Sequence, residues 1–163
     1  MKVVGEFNYR HAKELLLALQ PALYDEIIEL LSSEDNKLNL GAASSDNTQR
    51  QLSTQIQKWF EHRGYTKEKH CFSQSVKDLK YDLVKDNIPI EIEIGHERLV
   101  YADFFKFLTD YTNEAIPLGV MIVAAEPKKF GHIWHNSLDS TKKKILAIGS
   151  TYLVPVLVIA VNP

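Results

Sequence analysis

The segment that most constrains the fold of this chain is residues 81–95, YDLVKDNIPIEIEIG. Every second residue from 88 to 94 is isoleucine, and the positions between them include Glu91 and Glu93. A period of two predicts a strand with one apolar face and one acidic face. Asp86 and Asn87 tolerate the left-handed backbone of a tight turn, so the segment is predicted to form a two-residue β-hairpin.

In this hairpin Lys85 pairs with Ile88, and the register carried along the strands pairs Asp82 with Glu91. The Cβ atoms of such a pair lie about 5 Å apart, and like charges at that distance destabilise a sheet. Three carboxylates on one small surface, with Glu93 on the diagonal, therefore favour a bound cation. Oxygen-only ligands suit Mg²⁺. The alternative is a solvated outer strand face, although Asp and Glu are depleted in strands.

Length and composition fit one globular domain spanning residues 1–163. The chain is 45% hydrophobic and 25% charged, which is ordinary for a soluble protein. A formal charge of −2 gives no general sign of a polyanionic partner, so DNA binding would depend on local basic patches. A single cysteine, Cys71, excludes an internal disulfide and fits the cytoplasm, and no apolar run approaches membrane-spanning length.

The order of the predicted elements indicates a mixed central β-sheet flanked by helices on both faces. Helices are predicted over residues 9–19, from Pro21 onward, around 52–60, over 98–113 and over 137–149. Besides the hairpin, strands are predicted over residues 118–125 and 152–161, and residues 2–7 are predicted to form a short strand or an extended arm. The continuous apolar runs at 118–125 and 153–161 are typical of strands buried on both faces.

The spacing Asp82-x8-Glu91-x-Glu93 resembles the Asp…(Asp/Glu)-x-Lys site of metal-dependent nucleases, with Glu93 in place of the lysine. Together with NYRHA at 8–12, the helix at 100–111, the strand at 119–122 and VPVLV at 154–158, it is similar to BglII/BstYI-type (BamHI-like) type II restriction endonucleases of the PD-(D/E)xK superfamily. The resemblance implies an α/β (α+β) restriction-endonuclease-like fold. The chain looks shorter than these relatives, mainly before Asp82.

The resemblance also implies a function. Such enzymes are Mg²⁺-dependent homodimers that hydrolyse phosphodiester bonds in double-stranded DNA at a short palindromic site, in this group around a GATC core. By resemblance, Asp82, Glu91 and the backbone carbonyl of Ile92 ligate Mg²⁺. Glu93 can help to hold a second metal or accept a proton from the attacking water, and the alternative is a spectator carboxylate.

Candidate DNA contacts follow the catalytic strand and the strand at 118–125. By resemblance, base edges are contacted from near the end of the catalytic strand and from the loop after the second strand, where this chain has His96, His132 and Asn136. Asn136 can pair bidentately with adenine. Four lysines can neutralise phosphates: Lys128, Lys129, Lys142 and Lys143. For each of them the alternative is a solvated lysine with no role in DNA binding.

Two further functions stay open from the sequence: a non-enzymatic DNA-binding or interaction module on the same fold, and a repair or defence nuclease that reads no palindrome. The intact acidic set favours an enzyme, because a decayed site is free to lose acids that oppose folding. Aromatic residues cover too many faces of the 100–111 helix for one core. With the 137–149 helix they predict a dimer interface, and packing within one monomer is the alternative.

Overall fold

The computed structural model describes residues 1–40, 48–71, 79–94, 99–131 and 136–163. Its strands are β1 (Lys2–Tyr9), β2 (Thr66–His70), β3 (Lys80–Lys85), β4 (Ile88–Glu93), β5 (Gly119–Ala124) and β6 (Val156–Asn162). Its helices are α1 (Ala12–Leu19), α2 (Pro21–Ser32), α3 (Thr48–Glu61), α4 (Val100–Thr112) and α5 (Leu138–Ile148), with short 3₁₀ turns at Pro127–Phe130 and Gly149–Thr151.

The strands form one six-stranded sheet in the order β1-β6-β5-β4-β3-β2. The central strands β4, β5 and β6 are parallel, and the outer strands are antiparallel to their neighbours. This is the predicted mixed sheet. Strand β2 was not predicted, because TKEKH lacks apolar residues and pairs as an exposed edge strand.

The predicted hairpin joins β3 to β4. Asp86 and Asn87 have φ angles of 50° and 62°, as a turn of two left-handed residues requires. The predicted pairs Lys85–Ile88, Val84–Pro89 and Leu83–Ile90 are all present. The predicted pair Asp82–Glu91 is wrong, because the β3–β4 pairing ends at Leu83–Ile90. Instead, the Asp82 carboxylate accepts a hydrogen bond from the Ile92 N–H at 2.8 Å.

The sheet separates two hydrophobic cores. On one face, side chains of α1, α2 and α3 pack on the isoleucines of β4, as shown by Leu16, Ile27, Ile56 and Ile90. On the other face, α4 and α5 pack through Phe104, Phe107 and Ile145. Strands β4, β5 and β6 are buried along almost their whole length, which confirms the burial predicted for β5 and β6 from their continuous apolar runs.

Helix α4 is fixed to the sheet by close packing and by two tyrosine hydroxyls. The Tyr81 hydroxyl donates to Asp110 Oδ2 at 2.9 Å, and the Tyr152 hydroxyl donates to the Phe104 carbonyl at 3.2 Å. The Phe107 ring lies against Gly119 of β5, where a Cβ atom would come within 2.8 Å of the ring. The position of α4 relative to β3, β4 and β5 is therefore tightly determined.

Most helix predictions are confirmed within a few residues. Pro21 occupies the first turn of α2, where its missing N–H has no cost, and the Ser137 side chain caps α5 by accepting from the Ser140 N–H. Helix α1 begins later than predicted because β1 continues to Tyr9 and His11 has a positive φ of 57°. In the described part of the chain, none of the helices has the length and hydrophobicity needed to cross a membrane.

Candidate active site

Four carboxylates come together beside the second core. Asp82 lies on β3, Glu91 and Glu93 lie on β4, and Asp103 lies on the first turn of α4. Glu91 is 3% exposed and Glu93 is 9% exposed, so their face of β4 is covered by protein. The alternative of a solvated strand face is therefore excluded for these two glutamates.

Lys106 of α4 provides a positive charge that the sequence motif lacks. Its ammonium pairs with Glu91 Oε1 and, at 2.8 Å, with Asp103 Oδ1. It also donates to the Lys80 carbonyl at 3.1 Å. Three acceptors match the three donors of an ammonium, and Lys106 is only 7% exposed.

Asp103 and Lys106 were missed in the sequence analysis, although one signal pointed to Asp103. It lies on the same helical stripe as the buried residues Val100, Phe104 and Phe107. An acid in the apolar stripe of a helix needs a buried partner, because an unpaired buried charge is costly. Lys106 is that partner, three residues further along the helix.

Helix α3 orients Asp82 from the opposite side. Gln57 Nε2 donates to Asp82 Oδ1 at 2.8 Å, while Oδ2 receives the Ile92 N–H. Ser53 Oγ donates to the Ile92 carbonyl at 3.3 Å. The N–H and carbonyl of one strand residue point toward the same neighbouring strand, so the Ile92 carbonyl lies on the Asp82 side of β4. Gln57 and Ser53 were not predicted either.

Burial and mutual repulsion shift the pKa values of these acids upward. Burial raises the pKa of Asp82 and of Glu91, and the charge of Asp103 raises that of Glu91 further. Burial, followed by the charges of Asp103 and Asp82, raises the pKa of Glu93 from 4.5 to about 9. Burial lowers the pKa of Lys106, but the charges of Glu91 and Asp103 outweigh burial, so the net pKa is raised and the group stays an ammonium.

The donor set fits a divalent metal of the oxygen-preferring kind. Glu93 Oε2 and Asp103 Oδ2 are buried and accept no hydrogen bond from any described residue, which is costly without a cation. Among the same residues, however, no three His, Cys, Asp or Glu side chains converge closely enough to hold an ion as they stand. Lys106 occupies one side of Glu91 in this arrangement.

The candidate DNA contacts are differently placed. Asn136 is fully buried, and its Nδ2 donates to Thr141 Oγ1 at 2.7 Å. The prediction that Asn136 reads adenine conflicts with this arrangement, because its amide is buried and hydrogen-bonded to Thr141 of α5. His96 and His132 lie outside the described residues.

The four predicted lysines are exposed: Lys128, Lys129, Lys142 and Lys143. Lys129 pairs with Glu126 at 2.7 Å, and the Lys142 ammonium lies 5.5 Å from the centre of the Phe7 ring. Glu93 is aligned with Val123 at the carboxyl ends of two parallel strands, and Lys128 and Lys129 follow β5 at that same edge. Lys128 and Lys129 thus follow the same end of the parallel strands at which Glu93 lies.

The family described as restriction endonuclease BglII/BglIII matches residues 4–161 of this sequence. The chain belongs to the BglII/BglIII restriction endonuclease family. As a member of that family it is a type II site-specific deoxyribonuclease. Family membership thus decides for an enzyme over a non-enzymatic binding module, and restriction endonucleases of this kind generally need divalent metal ions.

A structural comparison agrees with the family assignment. The fold is similar to a crystal structure of restriction endonuclease BglII complexed with a DNA 16-mer, with a TM-score of 0.70 and 16% sequence identity. The match covers 98% of this chain and 76% of the BglII chain. This confirms the predicted restriction-endonuclease-like fold. A comparison with curated protein sequences gives no match.

Proposed function

We propose that this BglII/BglIII-family enzyme hydrolyses double-stranded DNA at a short palindromic site, and that it uses Mg²⁺ held by Asp82, Glu91 and the Ile92 carbonyl. The observation that carries the proposal is the buried acidic cluster, which contains carboxylate oxygens that no described donor satisfies. A bound divalent ion lowers the pKa of an attacking water and offsets charge on the departing oxygen.

The protein groups have distinct roles in this proposal. Gln57 and the Ile92 N–H hold both oxygens of Asp82 in fixed directions, so the carboxylate is oriented before any ligand binds. Glu93, whose pKa is raised to about 9, is a stronger base than an ordinary carboxylate once it is ionised. We assign Glu93 the role of general base, which accepts the proton of the attacking water.

The proposed DNA surface runs along the sheet edge at the carboxyl ends of β4 and β5. Lys128 and Lys129 follow β5, and Ser137 at the start of α5 bridges to Ala124 at that edge, which brings Lys142 and Lys143 onto the adjoining helix. These lysines contact phosphates and supply affinity without sequence choice. His96 and His132, which come after β4 and β5 in the sequence, are proposed to contact base edges of a palindrome with a GATC core.

A dimer would supply the two-fold symmetry that such a site requires. Leu99 just before α4 is 54% exposed, Tyr101 and Phe105 on α4 are 52% and 58% exposed, and Leu146 on α5 is 54% exposed. The Lys144 ammonium lies 5.8 Å from the centre of the Tyr101 ring, so α4 and α5 are neighbours. We propose that these apolar side chains form the contact between two copies of this chain.

The proposal is tested by incubating the purified protein with a plasmid and Mg²⁺ and then sequencing the DNA ends. We expect a defined set of ends that disappears with EDTA and with Asp82→Asn. Ends at random positions would contradict palindrome recognition and favour a repair or defence nuclease. Cleavage that persists with EDTA would contradict the metal mechanism.

A further inference from the structure

Lys106 occupies the carboxylate of a proposed metal ligand. Its ammonium pairs with Glu91, the proposed metal ligand, and its three donors are all used. We propose that Lys106 is a built-in counter-ion of the metal site, and that it must release Glu91 before Glu91 can bind a divalent ion. This inference rests on the proposed metal site at Asp82 and Glu91.

The charges around Glu91 explain why a counter-ion is needed. Without Lys106, the buried carboxylates of Glu91 and Asp103 would lose the cation that pairs with both of them, and Glu93 would keep only the charge of Lys144 acting on it. A buried ion pair that loses one member leaves the other uncompensated, which is strongly destabilising. Lys106 thus allows the acidic cluster to fold before a metal arrives.

The same charge opposes metal binding. A divalent ion at Glu91 would be repelled by an ammonium bound to the same carboxylate, because like charges in a poorly solvated site interact strongly. For a metal ion to bind, the ammonium must either leave Glu91 or share it with the ion, and both cost free energy. Lys106 lowers the metal affinity of the site by this free energy.

Asp103 provides the place to which the ammonium can withdraw. Asp103 and Lys106 are one helical turn apart, so a change of side-chain rotamers is sufficient and the backbone need not move. Asp103 Oδ1 already binds Lys106, and its Oδ2 accepts no hydrogen bond from a described residue. That second oxygen can accept the N–H that leaves Glu91.

The test measures Ca²⁺ binding by calorimetry in the absence of DNA, so that cleavage is not the readout. Lys106→Met should bind Ca²⁺ at least about tenfold more tightly than the wild type, equivalent to about 1.4 kcal/mol. Asp103→Asn should bind Ca²⁺ more weakly, because Lys106 then has Glu91 as its remaining carboxylate partner. Net charge alone gives the same two directions, so these results are required by the counter-ion role but do not decide it.

A double variant separates the counter-ion role from net charge. Asp103→Asn with Lys106→Met loses one acid and one base, so its formal charge equals that of the wild type. We nevertheless expect tighter Ca²⁺ binding, because Glu91 is uncovered. The double variant also keeps the balance of buried charge if Lys106→Met alone fails to fold, and its melting temperature without Ca²⁺ reports folding.

Glu91→Gln distinguishes failure of this inference from failure of the metal site. If Glu91→Gln binds Ca²⁺ like the wild type, or if neither the wild type nor the double variant binds it, the proposed site and the counter-ion role are both overturned. If Glu91→Gln loses binding while the double variant binds no more tightly than the wild type, the counter-ion role alone is overturned.

Discussion

Glu91 combines two properties that make its substitution hard to interpret. It is buried, and it shares an ion pair with Lys106. Truncating it to alanine would leave a buried ammonium with one carboxylate partner fewer, and breaking a buried pair is costly. Loss of activity in Glu91→Ala could then reflect loss of the fold, so amide substitutions are better probes of the acids.

The first prediction compares Asp82 with the side chain that orients it. Asp82→Asn should lower the cleavage rate with Mg²⁺ by more than about 100-fold, because loss of a metal ligand should exceed the 10–100-fold cost of losing its outer partner. Gln57→Leu removes that partner and should stay within about 10–100-fold. Thermal unfolding serves as the control for folding. Equal cleavage rates for Asp82→Asn and the wild type would show that Asp82 is not part of the metal site.

The second prediction follows from the raised pKa of Glu93. Folding favours the neutral acid, so its contribution to stability is fully present below the ordinary pKa of 4.5 and is lost as the pH rises through about 9. The melting temperature of the metal-free protein should therefore fall between about pH 4.5 and 9. The melting temperature of Glu93→Gln should fall less steeply over the same pH range.

Asp82, Glu91 and Asp103 are shifted in the same direction, so some slope should remain in Glu93→Gln. The difference between the two slopes is the signal that belongs to Glu93. Saturating Ca²⁺ should flatten the wild-type profile, because a nearby cation favours the ionised carboxylate. Identical profiles for the two proteins would show that Glu93 titrates normally in the folded state.

At the level of elements, the site depends on how α4 sits against the sheet. This helix carries Asp103 and Lys106, and its distance from β5 is set where the Phe107 ring covers Gly119. Protein interiors are packed tightly enough that one added methyl group is felt. A small change beneath Phe107 should therefore reach the acidic cluster through the helix.

The third prediction is that Gly119→Ala destabilises the protein by about 1–3 kcal/mol, because the new Cβ overlaps the Phe107 ring. Chemical denaturation measures this change. Combining it with Phe107→Leu should recover part of the loss, since the smaller side chain leaves room for the methyl group. If the two substitutions simply add, the packing contact does not determine the position of α4.

At the level of the whole molecule, the exposed residues of α4 connect the site to assembly. The buried face of this helix carries Asp103 and Lys106, while Tyr101 and Phe105 are each more than half exposed. One helix would thus contribute both to the acidic cluster and to the proposed contact between subunits. Of the aromatic residues on α4, only Phe104 and Phe107 are buried in the core, so the helix carries more aromatic side chains than the core uses.

The fourth prediction is that Phe105→Glu converts a dimer into a monomer, because a charge in an apolar interface must be desolvated. Light scattering at micromolar concentration measures the change. Leu19→Glu is the matched control, since Leu19 is 47% exposed on α1, which packs on the opposite face of the sheet. A wild-type protein that stays monomeric with and without DNA would contradict the dimer.

The sequence by itself determined what depends on short-range spacing. Alternation at 88–94 determined the strand, the Asp86–Asn87 pair determined the turn, and continuous apolar runs determined the buried strands. The positions of Asp82, Glu91 and Glu93 follow from that hairpin. These features are local, because strand periodicity and turn geometry are set by adjacent residues.

Only the tertiary structure decided which side chains complete and surround the acids. Gln57 comes from a helix before the hairpin, and Asp103 and Lys106 come from a helix after it. Their meeting depends on where α3 and α4 pack against the sheet, and no spacing within the sequence encodes that. The same reason explains Asn136, whose buried amide forms a hydrogen bond with Thr141 of α5. Whether a polar side chain faces a ligand or the core is decided by packing.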